Sequence, residues 1–232
     1  MKAYIPNFIT LLNLLSGSIA VIYAIGGDMK FTALFVCIGI FFDFFDGFIA
    51  RKLKLQSGLG VQLDSLADMV TSGLVPGLVL FHLFSLTPQL TLDNTGTIPY
   101  FGLLVTLASA YRLAKFNLSD NQSDFFIGLP VPANTLWIIA LPLILEYQPS
   151  DAVQQIILNP WFLIVFTLIS SYLLNAPFKL IALKFKNWNF KDNIHRYILI
   201  IFSLTVIMFF QFIGIPIAII GYLVLSLIFI KQ

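Results

Sequence analysis

The chain has 232 residues, of which 59% are hydrophobic and only 10% charged. A soluble domain carries about 25% charged residues, so 13 Lys and Arg with 11 Asp and Glu cannot cover a water-facing surface of this size. Soluble globular, disordered and nucleic-acid-binding classes are excluded, and the long apolar runs indicate an all-α polytopic membrane protein rather than a β-barrel.

A spanning helix needs about 20 apolar residues. In chain order the qualifying stretches are 5–26, 31–53, 62–86, 98–117, 130–147, 160–183, 194–212 and 214–230. About eight transmembrane helices therefore take up most of the chain, and residues 1–232 read as one integral membrane domain. The first stretch is expected to be retained: its charged flank is only Lys2, and no small-x-small cleavage site follows. Cys37 stands alone, so no intramolecular disulfide can form, and it is expected to be a small buried core residue. Gly73 and Gly77 form a small-xxx-small pair for close helix packing. Gly214 and Pro216 are expected to mark a turn before the last stretch.

With eight spans both termini share one side. That side holds Lys2, Arg51, Lys52, Lys54, Arg112, Lys115, Lys179, Lys184, Lys186, Lys191, Arg196 and Lys231, and the other holds only Lys30. The bias makes the first side cytoplasmic. Trp161 and Trp188 fall near interfaces, as membrane aromatics do. The Lys-rich segment 179–196, with His195 and Arg196, reads as a cytoplasmic loop that can also attract anionic lipid. His82 lies towards the outer side and receives no role.

Four aspartates lie in or at the ends of spans: Asp43, Asp46, Asp64 and Asp68. Each costs about 2.5–3.5 kcal/mol at a helix centre, so a cluster of them is a functional feature by default. Asp43 and Asp46 are three apart near the end of the second stretch. Asp64 and Asp68 are four apart at the start of the third. Each pair shares a helix face. A short loop joins these stretches, so they are expected to be antiparallel neighbours whose carboxylates converge near the cytoplasmic surface. Four hard oxygen donors suit Mg²⁺ or Mn²⁺, and two such ions would neutralise the site and serve phosphoryl transfer. Gly47, Ala50 and Gly60 leave room beside them, and Arg51 can pair with phosphate. Such a pocket fits a nucleotide diphosphate. Proton relay or ion transport, and a purely structural charge cluster, remain open on spacing alone.

The arrangement Asp43-x-x-Asp46-Gly47-x-x-Ala50-Arg51, eight residues, then Gly60-x-x-x-Asp64-x-x-x-Asp68 resembles the signature of the CDP-alcohol phosphatidyltransferases. All eight fixed positions and the gap match. Pro6-Asn7-Phe8-Ile9-Thr10 is similar to a P-N-x-x-T element of the same enzymes. The segments Arg112–Asn117 and Phe125–Asn134 look like those of the membrane-integral serine-transferring branch found in bacteria and archaea. The resemblance implies transfer of the phosphatidyl group from CDP-diacylglycerol to L-serine, with release of CMP. It implies that Asp43, Asp46 and Asp64 hold two divalent ions, Mg²⁺ or Mn²⁺. Asp68 would be a ligand or near-ligand, and the general base. Asn7, Thr10, Gly47, Ala50, Arg51 and Gly60 would border the nucleotide. A homodimer is also implied.

Serine carries a carboxylate and an ammonium. Arg112, Lys115, Asn117 and Asn134 lie on the same membrane side as the aspartates and are the candidates to bind it. Arg112 suits the carboxylate through a bidentate pair. Anchoring beside lipid headgroups is the alternative for Arg112 and Lys115. Pro130 and Pro132 are expected to set the start of the fifth stretch. Glycerol 3-phosphate, inositol phosphate or choline are the alternative acceptors; a phosphorylated one would call for more basic residues near the site. An ion-coupled transporter is the rival outside the family. It would be expected to show broken helices in repeated halves, which the sequence lacks.

Overall fold

The first two apolar stretches fold as α1 (Tyr4–Ile25) and α2 (Met29–Lys52). Between them Gly27 takes φ +79°, and the Asp28 side chain accepts from Phe31 N at 3.1 Å, capping α2. This computed structural model describes residues 4–53, 55, 57–87, 96–118, 125–182, 189 and 193–230. Lys2, Lys54, Lys184, Lys186, Lys191, Lys231 and Trp188 lie outside the described residues.

The third stretch is one rod, Gly58–Ser85, in three pieces. Ser57 caps α3 (Gly58–Asp68) by accepting from Gly60 N at 3.0 Å. A π-helical turn, Met69–Leu74, follows directly, and α4 (Val75–Ser85) completes the rod. A 3₁₀ turn (Ile98–Leu103) leads into α5 (Leu104–Leu118). Next come β1 (Phe125–Ile127), α6 (Val131–Tyr147), α7 (Asp151–Ile157), α8 (Pro160–Asn175), β2 (Lys179–Ile181) and α9 (Ile194–Phe229). Pro130 caps α6 and Pro132 occupies its first turn, as expected of residues that set its start.

α9 is a hairpin. Gln211 has φ 51° and ψ −124°, and the chain reverses there. Gln148 clamps the reversal: its amide donates to Phe210 O at 3.1 Å and its Oε1 accepts from Ile213 N at 3.1 Å. The turn therefore precedes Gly214 and Pro216. Gly214 is instead a packing position, since a Cβ there would fall 2.6 Å from Val206 O on the other arm.

All eight apolar stretches thus contain helix, and the protein is an all-α membrane protein. Among the described residues, three continuous helical segments are long and apolar enough to cross a bilayer, Tyr4–Ile25, Met29–Lys52 and Gly58–Ser85, and Ile194–Phe229 makes a fourth when taken as one segment across its reversal. The α7–α8 pair, bent by 60°, makes a fifth among the described residues if counted as one span. Each arm of α9 has about 17 residues, roughly 25 Å of helix, which is near the bilayer minimum.

Two expectations need correction. Helix α8 stops at Asn175, short of 183, because Pro177 cannot continue it; Ala176 is already extended at ψ 145°. The following residues form β2, antiparallel to β1. Cys37 is exposed, not core. The buried positions of α2 are Met29, Thr32, Ala33, Val36, Gly39 and Asp46, and Cys37 lies off that stripe. The expected packing of the second stretch on the third holds, but α2 meets that rod mainly at the π turn and α4, where a Cβ on Gly39 would fall 2.6 Å from Thr71 Cγ2. Helix α1 packs against both, extensively against α2, and the two acid-bearing helices meet beside it.

The buried face of α1 carries Pro6, Thr10, Asn13, Ser16, Gly17, Ala20 and Ala24, so it is small and partly polar. The apolar core lies between α4, α6 and α8, around Leu80, Leu83, Phe84, Ile138, Ile139 and Leu163. Gly77 and Gly102 let α4 close on α5 and its 3₁₀ turn: a Cβ on Gly77 would collide with Thr106, and one on Gly102 with Leu80 and Phe81. Outward faces are apolar too; Phe41, Phe44, Phe45 and Phe48 project from α2.

Candidate active site

Three of the four aspartates meet. Asp43, Asp46 and Asp64 each offer a carboxylate oxygen, and these oxygens lie within 4.8 Å of one another. The two on α2 are three residues apart on one face, and Asp64 approaches Asp43 directly from α3. Asp46 is only 4% exposed, and its Oδ2 is buried without a hydrogen-bond partner. A buried carboxylate oxygen with no donor is costly unless a cation meets it. The cluster therefore has the donor chemistry of a hard divalent ion.

Asp68 lies outside this trio but within electrostatic reach of all three. It is 9% exposed, and its Oδ1 accepts from Asn13 Nδ2 at 3.3 Å. Asn13 is fully buried on α1. It is in turn held by Thr71, whose hydroxyl lies 2.8 Å from Asn13 Oδ1 and 3.2 Å from Asn13 O. Thr71 sits in the π turn that begins immediately after Asp68. Such turns recur at functional sites. This one leaves carbonyls to be satisfied from outside: Ser72 O accepts from Thr135 at 2.8 Å and Gly73 O from Thr106 at 3.0 Å. Sequence reading missed Asn13 and Thr71. The available signal was the run Thr10, Asn13, Ser16, Gly17, a polar stripe at helical spacing in an otherwise apolar segment.

The residues expected around a nucleotide gather at the same end. Thr10 donates to Pro6 O at 3.0 Å and lies beside Asp46. Asn7 reaches Gly60; a Cβ on that glycine would fall 3.2 Å from Asn7 Oδ1. The Arg51 guanidinium folds back over Gly47, whose missing side chain makes room for it: a Cβ would sit 3.3 Å from Nη1. Ala50 is half-buried next to it.

The residues expected to bind the acceptor are less uniform. Arg112 Nη2 donates to Gly128 O at 3.3 Å and Ile127 O at 3.4 Å, while its Nε is buried without a partner. Asp68 lies within its electrostatic reach. Gly128 has φ +71°, and a Cβ there would drive into the Leu174 carbonyl, so the β1 turn is pinned against the end of α8. Asn134 is fully buried; its Oδ1 accepts from Ser170 at 2.5 Å and its Nδ2 has no partner. Asn117 is tied to Ser65 on α3, donating at 2.9 Å, which makes it a strut between α3 and α5. Lys115 is exposed. Ser72 Oγ, Ser109 Oγ, Ser171 Oγ and Asn175 Oδ1 are further buried polar atoms without partners, on the π turn, α5 and α8. Asn175 Nδ2 donates to Ala108 O at 2.9 Å, one turn from Arg112.

The family model for CDP-alcohol phosphatidyltransferase matches residues 3–173, from α1 through most of α8. The chain belongs to the CDP-alcohol phosphatidyltransferase family. The CDP-diacylglycerol–serine O-phosphatidyltransferase of Bacillus subtilis (strain 168) is 34% identical over 142 residues, spanning 60% of this chain and 75% of that protein. The Methanocaldococcus jannaschii protein of the same name is 28% identical over 155 residues, spanning 67% and 68%. The archaetidylserine synthase of Methanothermobacter thermautotrophicus is 26% identical over 150 residues, spanning 64% of this chain and 61% of its own length. Every element that carries the four aspartates, Asn13 and Thr71 lies inside the matched range of this phosphatidyltransferase; β2 and α9 lie beyond it.

Proposed function

We propose that this phosphatidyltransferase moves the phosphatidyl group of CDP-diacylglycerol to the hydroxyl of L-serine, giving phosphatidylserine and CMP. The observation that carries the reading is the convergence of Asp43, Asp46 and Asp64 within 4.8 Å beside the buried Asp68. Membership of the family and the serine-transferring relatives support it.

Asp43, Asp46 and Asp64 would hold a divalent cation, Mg²⁺ or Mn²⁺, and with Asp68 a second. The fit is reasonable. Oxygens bound to one octahedral ion at about 2.1 Å lie roughly 3–4 Å apart, so a small inward turn of the carboxylates closes the observed spacing. Bound there, the ion would neutralise the diphosphate and the charge growing on departing CMP.

The chain's own residues do the rest. Arg51, folded over Gly47, is placed to pair with a phosphate oxygen. Gly47, Ala50 and Gly60 keep the floor flat for the nucleotide, and Asn7 and Thr10 border it. Asp68 takes the proton from serine Oγ. The oxygen attacks the phosphorus that bears diacylglycerol; that P–O bond forms while the bond to CMP breaks. The lipid tails stay in the bilayer throughout, which explains a site set within a helix bundle. The Lys and Arg bias of the sequence supports a site and termini on the cytoplasmic side. The reading includes one catalytic domain per chain and a homodimer.

Serine is bound from the other side of Asp68. Arg112 has its unpartnered Nε to offer the carboxylate, and Asn134 Nδ2 is a further buried donor without a partner. A charge-assisted hydrogen bond contributes about 1.5–3 kcal/mol, so Arg112→Ala should raise the KM for serine roughly 10–100-fold. The KM for CDP-diacylglycerol should stay within about twofold. Equal rises in both would assign Arg112 to holding the β1 turn instead.

One assay tests the function. Purified protein is given CDP-diacylglycerol and Mg²⁺ or Mn²⁺, with serine, glycerol 3-phosphate, inositol phosphate or choline in separate tubes. CMP release with serine alone is the expected result. Release only with another acceptor overturns the serine assignment, and release with none overturns the enzymatic reading.

A further inference from the structure

We propose that Asn13 and Thr71 are positioning residues for Asp68, holding its carboxylate in one orientation so that Oδ2 is the oxygen presented to the acceptor hydroxyl. This rests on Asp68 being the base of the reaction proposed above.

The argument is one of proton directions. A threonine hydroxyl has a single proton to give, and both acceptors of Thr71 Oγ1 belong to Asn13: Oδ1 at 2.8 Å and the backbone oxygen at 3.2 Å. The shorter bond joins Thr71 to the Asn13 amide oxygen. The NH₂ group of that amide faces the other way, where Asp68 Oδ1 accepts at 3.3 Å. Turning the amide over would set a carbonyl oxygen against the carboxylate, so Asp68 fixes which way the amide faces and Thr71 holds it in place. Both Asn13 and Thr71 are fully buried, so water does not compete for these bonds. In a low-dielectric interior each bond is stronger, and losing one is costlier.

Three backbone features bring the three side chains together. The π turn begins at Met69 and shifts Thr71 out of α-helical register, towards α1. Gly17 on α1 leaves space for Thr71: any Cβ there would collide with its side chain and Cα. Gly39 on α2 does the same from the opposite side, since a Cβ would fall 2.6 Å from Thr71 Cγ2 and 2.9 Å from Asn13 Oδ1. Two glycines on two helices, meeting one threonine in a π turn, form a socket for that hydroxyl.

The chemistry that follows is orientational. A base contributes only when its oxygen lies in line with the proton it removes, and small misplacements lower the rate up to about 100-fold. With one lone pair of Oδ1 engaged by Asn13, the carboxylate plane is set with Oδ2 towards the acceptor hydroxyl, and the second lone pair of Oδ1 is left for an ion. A carboxylate free to rotate would divide its time between useful and useless orientations. The pair Asn13–Thr71 would therefore act on kcat rather than on donor binding.

The test uses full-length protein in detergent or vesicles and four variants. Thr71→Val keeps the volume and removes the hydroxyl. Thr71→Ser keeps the hydroxyl. Asn13→Ala removes the amide, and the fourth variant combines Asn13→Ala with Thr71→Val. We expect Thr71→Val and Asn13→Ala each to lower kcat for CMP release roughly 10–100-fold, with the KM for CDP-diacylglycerol within about twofold. Thr71→Ser should recover most of the loss. The double variant should be no worse than the poorer single one, because the two act as one unit. Thermal midpoints are measured alongside, so that unfolding is not read as lost kcat. The proposal is overturned if Thr71→Val turns over like wild type, if Thr71→Ser is as poor as Thr71→Val, or if the single losses multiply in the double variant. If wild type prefers another acceptor, only the serine assignment fails, and the same ratios are read with that acceptor. Wild type that releases no CMP with any of the acceptors overturns both readings.

Discussion

Asp68→Asn should lower CMP release by about 10²–10⁴-fold, the range a general base contributes, while CDP-diacylglycerol still binds. The substitution conserves shape. It also keeps the bond from Asn13, because an asparagine oxygen can accept from Asn13 Nδ2 where Asp68 Oδ1 accepts now, at 3.3 Å. Keeping that bond decides the outcome. With its oxygen turned to Asn13, the new side chain presents NH₂ where Oδ2 stood, and NH₂ cannot take a proton from a serine hydroxyl. The three carboxylates Asp43, Asp46 and Asp64 are untouched, so the diphosphate keeps its partners. Single-turnover CMP release and equilibrium binding of the lipid nucleotide separate the two effects. Near-normal turnover would remove Asp68 as the base. Loss of binding along with turnover would make it a ligand first.

Much of this fold was legible because lipid enforces it. Every spanning segment must satisfy its own backbone and present about 20 apolar residues, so the eight stretches announced themselves. The same uniformity hid which side of each helix faces protein. Cys37 sits in a run apolar on all sides, and nothing in its neighbours distinguishes a lipid-facing position from a core one. The β1–β2 pair was illegible for another reason: Phe125–Ile127 and Lys179–Ile181 are three residues each and about fifty apart, so no local period reveals their pairing. Helix α8 was overrun because Pro177 lies within an apolar run and was not weighed as a stop.

The acids were legible because charge is expensive in a bilayer. What surrounds them was only partly so. The aspartate spacing predicted convergence of the second and third stretches, but not that α1 packs against both with its small polar face. That face holds Asn13, which looked like one ordinary polar residue in a first helix. Its partner Thr71 owes its position to a π turn, and no periodicity argument foresees an inserted residue. Asn117 shows the converse: a polar residue in the right segment whose amide is spent on Ser65.

The second large effect concerns the ion. Chelation should abolish CMP release with every acceptor, and Mg²⁺ or Mn²⁺ should restore it. Asp46→Asn should lower release at saturating ion by roughly 10²–10⁴-fold, since metal stabilisation of the departing charge amounts to several kcal/mol and each 1.4 kcal/mol is about tenfold. A readout without turnover matters more here, because lost activity has many causes. Three carboxylates within 4.8 Å repel one another in the ion-free protein, and Asp46 Oδ2 is buried without a donor. Binding of an ion relieves both penalties in the native state alone. Wild type should therefore be stabilised by added Mn²⁺, by about 2.7 kcal/mol at one hundred times its dissociation constant. Asp46→Asn supplies its own donor and removes one negative charge. Its ion-free form should melt at or above the wild-type temperature, and added Mn²⁺ should shift it much less. Wild type whose melting ignores Mn²⁺ would refute the cation site, whatever the kinetics show. A variant stabilised by Mn²⁺ as much as wild type would move the ion away from Asp46, towards Asp64 and Asp68.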